Sequence, residues 1–138
     1  MCLLTRQICP IEAKEPIMVY KVLWMDSIIN NSFLTPWTHT KTGLNKHLVA
    51  KGEKTALTHS SYVLSPFKSL RVVSIGYIHC YTNIKDAKLG KRFFTPYNPV
   101  YKKVIVKCII EPGTRYYKSW DGEEIAADSI FIEDIVDI

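Results

Sequence analysis

The run "KKVIVKCIIEPGTRYY", residues 102–117, limits the fold more than any other stretch of the chain. Successive side chains of a strand point to opposite sides, so Val104, Val106, Cys108 and Ile110 share one face while Ile105, Lys107 and Ile109 share the other. This run is the clearest strand of the chain. Pro112 and Gly113 fit the centre of a type II turn, where proline sets the first φ and glycine supplies the positive second one. A second run, "IMVYKVLWM" (17–25), is apolar at nearly every position except Lys21 and reads as a strand buried on both faces.

The remaining elements follow from the same reasoning. "SYVLSPF" (61–67) and "LRVVSIGYIHCYT" (70–82) have strand composition, with Pro66 breaking the first and Gly76 marking a bend or bulge in the second. Thr82 or Asn83 can cap a short helix with Asp86 in its first turn, running toward Gly90 and the Pro96 and Pro99 turns. The β-branched run "EEIAADSIFIEDIVDI" (123–138) reads as a final strand, with Ile130 and Ile132 opposite Phe131 and Glu133. Residues 26–54 are rich in Asn, Thr, Gly and Lys, with Pro36 and Gly43 as breakers, and read as loops; "KHLVA" and "TALTH" suit a hairpin about Gly52. Together these predict an α+β fold: a single domain over 18–138 with a bent or split, mainly antiparallel sheet and one or two short helices. Residues 1–17 are expected to form an N-terminal arm that adds little to it.

At 138 residues, with 47% apolar and 22% charged, the chain can bury one core without staples. Cys2, Cys9, Cys80 and Cys108 form no CxxC pair, which fits a reducing compartment. The N-terminal apolar patch is broken by Arg6, Glu12, Lys14 and Glu15, so neither a signal peptide nor a membrane span is expected, and a cytoplasmic location follows. Charge is strongly polarised: residues 1–118 carry all 18 Lys and Arg against six acids, whereas 119–138 carry seven acids and no base. Such a chain can fold its acidic end onto its basic body or present a basic face to an anionic partner.

Few residues carry recognisable chemistry. His79 and Cys80 are adjacent in a strand, so their side chains diverge and cannot act as base and nucleophile together. Cys80, Cys108, His59 and His79 lack the close ligand spacing of a zinc site, and no metal is expected. The chain has no GxGxxG, GKS, GKT or GxSxG. In "KLGKRFFTPYNPVYKK" (88–103), Lys88, Lys91, Arg92, Lys102 and Lys103 alternate with Phe93, Phe94, Tyr97 and Tyr101, as cations and stacking rings do on nucleic-acid-binding surfaces. Loops beside a sheet have the same composition when their aromatics pack inward.

From Gly76 onward the order of elements resembles that of ADP-ribosyltransferases of the poly(ADP-ribose) polymerase and diphtheria-toxin type. The likeness lies in "GYIHCYT", "NIKDAKLG", "VIVKCIIEPGT" and an acidic closing strand. It implies NAD as cofactor, with Tyr77 and Tyr81 near the nicotinamide and Glu123 or Glu124 as the acid that orients the ribose and stabilises an oxocarbenium-like transition state. His79, able to hydrogen-bond a ligand from a cleft, joins them as a cofactor-binding candidate. The first strand offers Lys21 where that family has its NAD-gripping residues. The same half, through "VIVKCIIEPGTRYY", is similar to short bacteriophage and gut-bacterial proteins, which implies a phage-encoded protein of the host cytoplasm or virion. The preferred expectation is a binding or accessory protein without a cofactor, acting on protein or nucleic acid through its basic face. The alternative is an NAD-binding transferase.

Overall fold

A computed structural model describes residues 3–7, 9–36, 38–50, 58–59, 71–73 and 77–138. In chain order its elements are β1 (Leu3–Thr5), β2 (Ile11–Glu12), β3 (Ile17–Asp26), β4 (Phe33–Leu34), β5 (Lys41–Thr42), β6 (Lys46–Val49), β7 (Thr58–His59), β8 (Arg71–Val73) and β9 (Ile78–Tyr81). The helix α1 (Ile84–Lys91) follows, then β10 (Tyr101–Ile110), β11 (Arg115–Lys118), β12 (Glu124–Ala127) and β13 (Ser129–Asp137). The large sheet has the order β2-β11-β12-β9-β3-β10-β13-β6, with β4 on β3 and β5 on β4; a small sheet has the order β1-β8-β7. Every pair described is antiparallel. With one helix against so many strands among the described residues, the expected α+β class holds only loosely, while the mainly antiparallel sheet is observed.

The two runs most legible in the sequence form the spine. β3 and β10 pair along their whole lengths, from Tyr101 opposite Asp26 to Ile110 opposite Ile17. Val104, Val106, Cys108 and Ile110 enter the main core beside Val19 and Leu23, whereas Ile105 and Val22 face the other way and pack under Ala87 and Phe94. The expectation that β3 is covered on both faces therefore holds at its centre, and Met18 near its start is exposed.

The sheet curls because the last run of chain serves both of its arms. β12 pairs with β9 and β11, β13 pairs with β10 and β6, and Asp128 stands between them. Asp128 donates its N–H to the Arg115 carbonyl at 3.0 Å and accepts from the Ala50 N–H at 2.8 Å, so it forms the corner where the strand changes partners. Ile125 and Ala127 of one arm meet Ile130 and Ile132 of the other in a single core, and the sheet remains open. Gly113 takes φ +91° and the Thr114 N–H reaches the Glu111 carbonyl at 3.1 Å, the geometry expected of the Pro112–Gly113 turn. That turn does not make a hairpin: it sends β11 into the arm opposite β10.

Three expectations need correction. The N-terminal arm is woven into the structure. β1 pairs with β8, β2 pairs with β11, Leu3 and Thr5 are fully buried, and Thr5 Oγ1 donates to the Lys118 carbonyl at 2.6 Å. The run 123–138 is two strands rather than one, for the reason given at Asp128. "KHLVA" and "TALTH" do not pair with each other among the described residues: Lys46–Val49 pairs with β13, and Thr58–His59 pairs with β8 in the small sheet. The Gly52 turn, "SYVLSPF" with Pro66, and the Gly76 bend lie outside the described residues.

Candidate functional site

Among the described residues, the helix and the loop after it carry a group of exposed cations and aromatic rings: Lys85, Lys88, Arg92, Phe93 and Tyr97. Asn83 caps α1, its side-chain oxygen accepting the Asp86 N–H at 2.8 Å. One side of the helix, with Ala87 and Gly90 buried, lies on β3, β9 and β10. Lys85, Lys88 and Arg92, spaced three and four residues apart, all stand exposed on the side turned to solvent. None of them forms an ion pair or side-chain hydrogen bond with a described residue. Lys91 differs, being half-buried and bonded to Asp137 Oδ2 at 3.0 Å. Lys88 and Lys91 also complement the negative end of the helix dipole, worth about 0.3–1 kcal/mol each, but Lys85 lies outside that last turn.

The helix ends by tightening. The Phe93 and Phe94 N–H groups bond three residues back, to the Gly90 and Lys91 carbonyls at 2.9 and 3.3 Å. Phe94 then turns inward, where its carbonyl accepts from Trp24 Nε1 at 2.6 Å, and its neighbour Phe93 is turned outward with 82% of its surface exposed. Tyr97 is 94% exposed. The loop that carries both is tied down at its far end. Asn98 Oδ1 accepts the Val100 N–H, and both the N–H and Oγ of Ser27 donate to the Val100 carbonyl. Tyr101 stacks at a tilt on Trp24, with centroids 6.4 Å apart. Of the four aromatics in this segment, two therefore pack inward and two face solvent.

The other two lysines of the segment part company, as neighbours on a strand must. Lys103, opposite Trp24, lies on the helix side of the sheet. Lys102 lies on the other side and lines a cleft of about 550 Å³ with Met25, Ile29, Phe33, Leu44 and Ile135.

The residues singled out by the transferase resemblance occupy a different place. His79 and Tyr81 alternate with the buried Ile78 and Cys80, and Glu124 and Ala126 lie directly opposite Tyr81 and His79 on β12. Tyr81 stands against α1 so closely that a Cβ at Gly90 would sit 2.1 Å from its hydroxyl. Tyr77 packs edge-on against Tyr117, centroids 5.3 Å apart, where the small sheet meets the large one. Lys21 donates to the His79 carbonyl at 2.9 Å, bridging β3 and β9 where their only described residue pairing is Tyr20 with Tyr81. Its ammonium is thereby held by backbone.

Glu123 is exposed and Glu124 half-buried, and both follow a tight turn. Ser119 Oγ donates to Asp121 Oδ1 at 2.6 Å and accepts the Glu124 N–H at 3.0 Å. Burial, then the carboxylates of Asp121 and Glu123, raise the Glu124 carboxyl above its ordinary range. Burial, then Glu124 and Asp86, push the Tyr81 phenol up to about 12. The charges around this pair are thus mainly acidic.

Cys80 and Cys108 are fully buried in the main core, and burial raises both thiols, Cys80 to about 11, so neither is an activated nucleophile. Among the described residues no three His, Cys, Asp or Glu side chains converge to hold a metal ion, and no helix is long and apolar enough to cross a membrane. Lys85 escaped the sequence reading, although its helical spacing from Lys88 and Arg92 was available as a signal. Set beside known protein families, curated proteins and solved structures, the chain matches none of them.

Proposed function

We propose that the protein is a binding module that docks an anionic partner, a nucleic acid or an acidic protein, on the solvent face of α1 and the loop after it. The observation that carries this reading is the row Lys85, Lys88 and Arg92, exposed and without described acidic partners, beside the outward-turned Phe93 and Tyr97. Three acids of the C-terminal run pair with cations outside this row: Asp137 with Lys91, Glu133 with Lys107 and Asp128 with Arg115. The row is therefore left for a second molecule. Replacing Lys85, Lys88 and Arg92 by Gln should lower the salt needed to elute the protein from a sulfated polyanion matrix. A control carrying the same charge change at the exposed Lys14, Lys46 and Lys118 should elute close to the parent. Equal shifts in the two variants would mean that net charge, not this face, does the binding.

A second reading, an NAD-binding transferase, draws on one observation: Glu124 stands directly across the strand pair from Tyr81, with its carboxyl raised. Millimolar NAD should then raise the thermal unfolding midpoint of the protein, and Glu124→Gln should remove the rise. No shift with the parent protein sinks this reading.

A further inference from the structure

Resting on the anionic-partner reading, we infer that the ligand of this face is single-stranded nucleic acid, held by phosphate contacts to Lys85, Lys88 and Arg92 and by base stacking on Phe93 and Tyr97. The two rings select the ligand. Cations alone suit any polyanion, but Phe93 and Tyr97 display most of their surface on a loop anchored at both ends, by the Trp24–Phe94 bond and by Ser27 on Val100. A ring exposed on an anchored backbone is a platform for another flat, polarisable group. In a duplex the base faces are already stacked on one another and closed to such rings, whereas in a single strand they are open. An acidic peptide supplies carboxylates for the cations and nothing that needs two exposed rings.

The placement is also compact. Phe93 and Tyr97 are four residues apart, which limits their backbone separation to about 14 Å, and Arg92 immediately precedes Phe93, so charge and ring belong to one short track. Duplex readers insert a helix or a two-stranded ribbon into the major groove. Here the helix has eight residues and its inner side is committed to the sheet, so it offers a rim rather than an insert.

The test is fluorescence anisotropy with a short labelled oligothymidylate, the duplex of the same length, and a labelled polyglutamate as the acidic-protein probe. The single strand should bind more tightly than the other two. About three phosphate contacts predict a slope of log K on log salt near −2, or about a twentyfold loss between about 50 and 200 mM. The double variant Phe93→Ala/Tyr97→Ala, at exposed positions, should keep that slope and lose at least about tenfold in affinity. Lys88→Gln/Arg92→Gln should instead flatten the slope, with circular dichroism confirming that both variants fold. Equal binding of duplex and single strand, with no effect of the ring variants, overturns the inference and leaves the anionic-partner reading standing. Tighter binding of polyglutamate overturns it in favour of a protein partner. If none of the three probes binds at low salt, both readings fail.

Discussion

At the scale of single residues, the molecule shows how small a change of direction separates core from surface. Phe93 and Phe94 are chemically identical neighbours, yet one is 82% exposed and the other 9%, because the tightened end of α1 turns only Phe94 toward Trp24. Gly90 is a second case. Alanine would normally favour a helix over glycine by about 1 kcal/mol. At position 90, however, the added carbon meets the Tyr81 ring, 2.1 Å from its hydroxyl and 2.6 Å from Cζ. Overpacking of this kind costs about 1–3 kcal/mol, so the clash should outweigh the propensity gain. Gly90→Ala is expected to be less stable than the parent in urea unfolding, and Tyr81→Leu in the same chain should recover most of the loss. A more stable Gly90→Ala would show that Tyr81 moves aside at no cost.

At the scale of elements, the signals that could be read were local ones. Asn83 caps α1 because a side-chain acceptor there satisfies an N–H the helix leaves open, and Asp86 follows in the first turn; both depend only on near neighbours in sequence. The faces of β10 were equally legible, since alternation is a property of the strand itself. Pairing was not. "KHLVA" and "TALTH" have the composition of a hairpin, but Leu48 gains more by entering the main core from an edge of the large sheet. The bend at Asp128 was hidden for a related reason. Its residue type gives no distinct signal, because Asp134 of the same run lies inside β13, and its role depends on Arg115 and Ala50, which are distant in sequence.

At the scale of the whole molecule, the two sheets and the helix are held together by segments whose sequences give little sign of it. Residues 3–7 place Leu3 against Val73, Tyr117 and Ala126, and Gln7 Oε1 accepts the Lys118 N–H at 2.6 Å. Leu3→Ala is therefore expected to cost about 2–5 kcal/mol, and a chain started at Met18 should be far less stable than the full one. Denaturant unfolding of both proteins tests this; parent-like midpoints would return the arm to the periphery. The charge polarity finds its meaning at this scale too. The three ion pairs between the acidic end and the basic body are partly exposed and worth at most about 1 kcal/mol each, so they orient more than they stabilise.

The strand character of 17–25 and 102–117, the capped helix, the Pro112–Gly113 turn and the inner faces of β10 and β13 are local properties of the chain. Each follows from backbone preference or side-chain alternation over a few residues. Tertiary structure alone set which strands are neighbours and that the final run serves both arms of the sheet. It also decided that Tyr77 and Tyr81 are packed at the two ends of one strand while Phe93 and Tyr97 stand free. Exposure and partnership depend on what the rest of the chain brings near, and burying apolar surface rewards whichever long-range arrangement covers the most of it.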